Sequence, residues 1–206
     1  MSRYFIKLAY NGTNYNGWQV QENTPNTIQQ VLEEKLTMLL KEPIEVMGCG
    51  RTDTGAHARF DAITRTYHYY LHQHKNPFVE NFSWHQYGEI DFELMNKACE
   101  ILLQTSDFTS FSKVNTQTKT NICLVSEATW IQLDENEWCF VITADRFLRN
   151  MVRAIVGTLM MVGRHKISLE DFKKIIDNKN RSDAGSSAPA HALFLTDIKY
   201  PEDTFL

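Results

Sequence analysis

The stretch Gly48-Cys49-Gly50-Arg51-Thr52-Asp53-Thr54-Gly55 places an arginine and an aspartate two residues apart and brackets both with glycines. Glycine allows a tight turn and close approach of a ligand to the backbone. A guanidinium beside an aspartate favours its ionised form, so Asp53 is expected to be a carboxylate at neutral pH. Aimed into a cleft, such a group suits nucleophilic attack or electrostatic stabilisation better than general-acid work. The same spacing also suits an Asx-type turn with a surface ion pair worth at most about 1 kcal/mol. Spacing alone leaves both readings open.

Three further sets of residues invite a chemical reading. Arg146, Arg149 and Arg153 recur at helical spacing opposite Phe147, Leu148, Met151, Val152, Ile155, Val156 and Leu159, which predicts a helix over 145–161 with a core face and a basic stripe. Arg164, His165 and Lys166 would extend that stripe, and such a face suits RNA backbone or simply a solvated surface. Trp18, Tyr15 and Phe111 are candidates for base stacking, against ordinary packing. His68, His72 and His74 share one face of an extended segment, but no Asp, Glu or Cys nearby completes a metal shell, so no metal is expected. His57 and His191 stand beside these segments with roles left open. The four cysteines, Cys49, Cys99, Cys123 and Cys139, lie singly in apolar segments and read as reduced, buried thiols.

The elements that must position these residues follow from periodicity. Residues 4–10 read as a strand, a polar loop follows, and Thr27-Ile28-Gln29-Gln30 opens a helix that runs to about Lys41. Ile44-Glu45-Val46-Met47 reads as a second strand entering the glycine-bracketed loop. A third, 64–71, alternates so that Arg65, Tyr67, Tyr69 and Leu71 share one face and Thr66, His68, Tyr70 and His72 the other, so one face is partly wet or occupied. A helix over 91–103, a hairpin from 122–133 and 138–143 around Asp134-Glu135-Asn136, a short helix begun by Ser168-Leu169-Glu170-Asp171, and a closing strand over 192–200 complete the pattern. The class is α+β with a mainly antiparallel sheet.

Composition bounds the answer. With 206 residues, 43% of them apolar and 12% aromatic, the chain buries a sizeable core, which excludes disorder and fibrous repeats. A net charge of −4 argues against a protein that coats nucleic acid all over, yet allows one basic groove, because phosphate contacts are local. No apolar run approaches the roughly 18 residues of a membrane span, and residues 1–10 leave no room for the apolar part of a signal peptide. A cytoplasmic protein is expected.

Six segments in order closely resemble the TruA-type tRNA pseudouridine synthases. They are Tyr15-Asn16-Gly17-Trp18-Gln19-Val20-Gln21; Gly50-Arg51-Thr52-Asp53-Thr54-Gly55; Ala58-Arg59-Phe60-Asp61-Ala62 through Tyr67-His68-Tyr69; Asp107-Phe108-Thr109-Ser110-Phe111; Phe147-Leu148-Arg149-Asn150-Met151-Val152-Arg153-Ala154-Ile155-Val156-Gly157; and Ala188-Pro189-Ala190 through Leu193-Phe194-Leu195. The resemblance implies isomerisation of uridines 38 to 40 in the anticodon arm of tRNA, with no cofactor and no metal. It implies Asp53 as catalytic aspartate, Arg51 as its partner, Tyr67 stacking on the target base and Leu193 lining the uracil pocket. Arg59, Arg146, Arg149 and Arg153 are expected to contact the RNA. It also implies two ferredoxin-like lobes with mainly antiparallel sheets backed by helices around a central cleft, here 1–75 and 76–206, and a homodimer. Two other classes compete: a catalytically inactive tRNA-binding protein on the same scaffold, and a carboxylate glycosidase, which needs a second acid that the motif loops lack.

The chain departs from the family pattern after Gly55, where Ala56-His57-Ala58-Arg59-Phe60 follows at once in place of several tens of residues. Losing about a third of a lobe would break its sheet, at a cost that few domains of about 5 to 15 kcal/mol total stability tolerate. The natural polypeptide is therefore expected to carry further residues between Gly55 and His57. Intact mass spectrometry of the protein from its natural source should give a mass above 23.9 kDa, and a peak at 23.9 kDa would refute the expectation.

Overall fold

A computed structural model describes residues 6, 8, 10, 12, 14–46, 62–113 and 119–202. The chain divides into two compact units, Met1–Asp61 and Ala62–Leu206. Most of the expected strand over 4–10 lies outside the described residues, as does Cys49.

The described part of the first unit is built on helix α1, Ile28–Leu40. The Thr27 side chain accepts from the Gln30 amide to start it, and Lys41, left-handed at φ 58°, ends it with its N–H on the Thr37 carbonyl. Residues 44–46, expected as a strand, lie outside any ladder among the described residues. Side chains of α1 take their backbone groups instead: the Ile44 amide donates to Thr37 Oγ1, the Val46 amide to Glu33 Oε1, and Gln29 Nε2 to the Val46 carbonyl. Only Ile28 of this helix is buried, and its apolar end is open, with Met38 71% and Leu39 75% exposed.

The second unit is organised around strand β1, Thr64–His72. Along one edge β1 pairs antiparallel with β4, Glu137–Ala144, which pairs in turn with β3, Val125–Asp134. Its other edge is shared: β5, Leu193–Lys199, runs antiparallel beside residues 64–69, and the two-residue β2, Trp84–His85, runs parallel beside Leu71 and His72. The sheet is mostly antiparallel and the class α+β. The strand 64–71 thus pairs with β2, β4 and β5 in the unit Ala62–Leu206.

Three helices pack on one face of the sheet. Helix α2, Phe92–Leu103, is capped by Asp91 and buries Phe92, Met95, Ala98, Cys99 and Leu102, a spacing of three and four that gives one apolar stripe. Asn96 ties it to β3, accepting the Trp130 amide at 2.7 Å and donating to the Trp130 carbonyl at 3.1 Å. Helix α3, Met151–Gly163, has 11 buried residues and runs through the core. Helix α4, Leu169–Asp177, begins with the reciprocal Ser168 and Asp171 capping box that the sequence anticipates. Tyr69, Phe108, Phe111, Phe140 and Phe172 are fully buried, each side chain contributing about 1.5 to 3 kcal/mol of transfer free energy. Phe111 is therefore core and cannot stack on a base. Cys99, Cys123 and Cys139 are free and buried, and burial pushes the Cys123 thiol up to about 11 and that of Cys139 to about 12.

The opposite face of the sheet is open. Thr66, His68, Val141, Thr143, Glu127 and Thr196 help to line a hollow of about 960 Å³ there, matching the expectation that this face of β1 is partly wet. Farther along, His72 is buried, with Nδ1 2.9 Å from Ser83 Oγ and its ring stacked on His85 at 4.9 Å. His74 lies beyond the strand, exposed, and no cluster able to hold a metal occurs among the described residues. Burial, reinforced by His85 and His191 and opposed by Glu137 and Glu80, lowers the His72 pKa below its ordinary 6.5. Above pH 6.5 both folded and unfolded states hold it neutral. Below that, the unfolded chain binds a proton that the folded chain refuses, so stability falls with pH. Urea midpoints should therefore drop between pH 7.5 and 5 more in the parent chain than in His72→Asn; equal drops would refute the role of His72.

Candidate active site

The helix-facing side of β1 presents Arg65, Tyr67 and Tyr69 in alternate positions. Tyr67 is half-buried, its ring meeting Phe147 edge-on at 5.1 Å and 86°. The register with β5 shifts between Thr66 and Tyr67, so that Thr66 faces Asp197 and Tyr67 faces Leu195. The extra residue is Thr196 of β5, so the bulge lies on β5 opposite Tyr67, while β1 itself runs unbroken beside β4 from Arg65 to His72. Tyr69, fully buried, donates its hydroxyl to the Pro189 carbonyl at 3.1 Å and meets Trp84 edge-on. Burial drives its pKa far above that of an ordinary phenol, so it is a permanent donor at neutral pH. Leu193 sits across the ladder from Tyr69 and is half-buried.

The basic stripe expected on one continuous helix does not form. Helix α3 starts at Met151, and Arg146 and Arg149 lie in a turn before it. Asp145 explains the difference: its carboxylate accepts the Leu124 amide at 2.7 Å and the Arg146 amide at 2.8 Å, which holds 145–146 to the start of β3 and prevents an earlier helical start. Asn150 then takes a left-handed conformation at φ 70° and donates to Ser187 Oγ, while Lys113 donates to the Arg149 carbonyl. Arg146, Arg149 and Arg153 still collect at this one end of α3. Among the described residues none of the three joins an ion pair, and the N-terminal end of a helix adds positive potential. Arg164 ends α3 about 20 Å away at 1.5 Å per residue and donates to Gln86 and the Tyr87 carbonyl, so it does not extend the cluster.

Between α4 and β5 the chain forms a strap, 184–190, that crosses the first half of α3. The Ala188 amide donates to the Arg153 carbonyl at 2.9 Å and Arg153 Nε donates back to the Ala188 carbonyl. The Gly185 amide donates to Thr158 Oγ1 at 2.9 Å. Gly157 lets the strap come this close, because a Cβ there would overlap the Ser186 carbonyl oxygen. Arg181 Nη1 donates to the Gly185 carbonyl at 3.1 Å and Arg181 Nη2 to Ser187 Oγ at 2.9 Å.

Tyr67, Arg146, Arg149, Arg153 and Leu193 are thus gathered around one end of α3 and the adjoining part of β1. Asp53, Arg51 and Arg59 lie outside the described residues. Tyr69, Asn150, Arg181 and Ser187 belong to the same network and were not singled out by sequence; Tyr69 was legible only as a neighbour of Tyr67 in the alternation. None of Tyr67, Arg146, Arg149, Arg153 and Leu193 lines the large hollow behind the sheet.

The family model for tRNA pseudouridine synthase matches residues 98–201, which include α3, the strap and β5. A tRNA pseudouridine synthase A of Porphyromonas gingivalis is 47% identical over 253 aligned positions that cover the whole of both chains. Enzymes of the same name from Bacteroides thetaiotaomicron, 44% identical with all of this chain and 93% of the relative covered, and from Clostridium acetobutylicum, 34% identical with 95% and 98% covered, also match. The chain belongs to the tRNA pseudouridine synthase family. In this synthase the strap lies within the residues that the family model covers and Tyr67 and Tyr69 lie before them, and the reading as an inactive scaffold gains no support from relatives named as synthases.

The close approach at Gly157 makes a direct prediction. Alanine in a helix interior is ordinarily favoured over glycine by about 1 kcal/mol. Here the added methyl must push the strap away, and Gly157→Ala should lower unfolding stability in urea by about 1 to 3 kcal/mol. Unchanged or higher stability would contradict the packing described.

Proposed function

We propose that this synthase converts uridines 38 to 40 of the tRNA anticodon arm to pseudouridine, with Asp53 as nucleophile, Arg51 as its ion-pair partner and Tyr67 stacked on the base. The observation that carries the reading is Tyr67 edge-on to Phe147, which stands between Arg146 and Arg149 just before α3, with neither these arginines nor Arg153 in an ion pair among the described residues. An aromatic ring next to unpaired cations suits a nucleotide drawn from its stack, because the base needs a surface to lie on and its phosphates need countercharge. Arg146, Arg149, Arg153 and Arg59 would take those phosphates, and Leu193 the apolar side of the uracil.

The reaction is an isomerisation and needs no oxidant or energy source. The C1′–N1 bond breaks, the freed uracil turns, C5 bonds to C1′, C5 loses its proton and N1 gains one. Asp53 attacks C1′, attacks C6, or assists departure of the uracil through a glycal-like species, and each route needs an ionised carboxylate.

The same reading carries a homodimer in the cytoplasm, and two ferredoxin-like lobes around a central cleft. In keeping with this, no helix among the described residues is long and apolar enough to cross a membrane. It also carries an additional segment between Gly55 and His57. The 253 positions aligned with the Porphyromonas enzyme exceed the 206 residues of this chain by 47. The open apolar end of α1, in the unit that contains Gly55, offers that segment a surface to cover.

Tritium release from C5-labelled uridine in tRNA tests the proposal. The parent chain should release tritium and Asp53→Asn should not; equal release from both eliminates Asp53 as nucleophile.

A further inference from the structure

The strap 184–190 has no regular secondary structure, yet its carbonyls are individually held. Arg181 Nη1 reaches those of Ala184 and Gly185, at 3.4 and 3.1 Å. Arg153 takes that of Ala188, the Tyr69 hydroxyl that of Pro189, and the Leu193 amide that of Ala190. The Ser187 hydroxyl receives both Arg181 and Asn150, and the Ser186 carbonyl rests against Gly157. Connecting segments ordinarily leave such groups to water and move accordingly. Here they are tied to side chains from β1, from both sides of the start of α3, and from the chain after α4.

Tyr69 ties the strap to the first residue of β5. Its hydroxyl holds Pro189, and its backbone faces Leu193 across the β1–β5 ladder. Tyr67 stands two residues along on the same face. The spacing between Tyr67 and Leu193, the residues assigned to stack on the uracil and to line its pocket, is therefore set by β1 pairing and by how firmly the strap is held. We propose that the strap is a preset wall of the uridine pocket and that Tyr69 and Arg181 are its positioning residues, acting through Pro189, Gly185 and Ser187 without touching substrate. This rests on the placement of the base between Tyr67 and Leu193. A loosened strap would let the detached uracil sample unproductive orientations while leaving tRNA capture intact, and misplacement by about 1 Å can cost on the order of 100-fold in rate.

The test uses the full chain and an unmodified tRNA, with Tyr69→Phe, Arg181→Ala and Arg181→Lys. Three quantities are read for each: the single-turnover rate of pseudouridine formation, the tRNA dissociation constant with its salt dependence, and the melting temperature. Tyr69→Phe removes one hydroxyl and keeps the ring, and both it and Arg181→Ala should slow the single-turnover step by about 10- to 100-fold. The dissociation constant and its salt slope should stay within twofold. Arg181→Lys keeps the charge but loses the fork that spans Gly185 and Ser187, so it should stay slow. Unchanged rates in folded Tyr69→Phe and Arg181→Ala would overturn the proposal. So would rates that fall only in step with the folded fraction, weaker binding with a shallower salt slope, or full rescue by lysine. Asp53→Asn separates the two claims: if it retains activity the assignment of the nucleophile fails, whereas a slow Tyr69→Phe beside a dead Asp53→Asn supports both.

Discussion

Strand β1 is hydrogen bonded to β4 from Arg65 to His72 on one edge and to β5 and β2 on the other, and the candidate site depends on that double pairing. Side chains on a strand alternate between faces, so a slip of one residue would turn Tyr67 and Tyr69 to the open side and bring Thr66 and His68 against the helices. Pairing on both edges, together with burial of Tyr69 and Leu71, excludes the slip. The one irregularity in these pairings is the extra residue Thr196 of β5 opposite Thr66 and Tyr67, which leaves the alternation of β1 intact.

A second constraint follows from the need to satisfy polar backbone groups away from water. An unsatisfied buried carbonyl costs about 1 to 3 kcal/mol, so an irregular segment crossing a buried helix is stable only if partners are supplied along it. Arg153, Tyr69 and Arg181 supply them for the strap, and Gly157 removes the methyl group that would hold it off. These contacts make Arg153 a part of the frame as well as a candidate for phosphate binding: Nε is committed to Ala188, which leaves the rest of the guanidinium for other partners.

Local rules made much of the fold legible. Thr27, Asp91 and Ser168 mark the starts of α1, α2 and α4, because a capping side chain bonds within three residues of itself. The alternation along β1 separates a partly wet face at Thr66 and His68 from a buried one at Tyr69 and Leu71, and fails only at His72, which is buried against Ser83 and His85. The start of α3 was misread for an equally physical reason. Hydrophobic periodicity continues through Phe147 and Leu148, but Asp145 spends its carboxylate on Leu124, more than twenty residues away, and Asn150 turns left-handed to meet Ser187. Similarly, 44–46 have strand-like residues whose backbone groups are claimed by side chains of α1.

From residue types and order alone come the family, the candidate roles of Asp53, Arg51 and Tyr67, the helix caps and the two faces of β1, since each is written in contiguous residues or in spacings of two to four. The network at the strap was settled only by tertiary structure. Tyr69 and Pro189 are 120 residues apart, Asn150 and Ser187 are 37, and Arg153 and Ala188 are 35. No local preference of tyrosine, asparagine or arginine encodes such partners; they are chosen when the sheet and α3 come together and bring the partly buried strap against them.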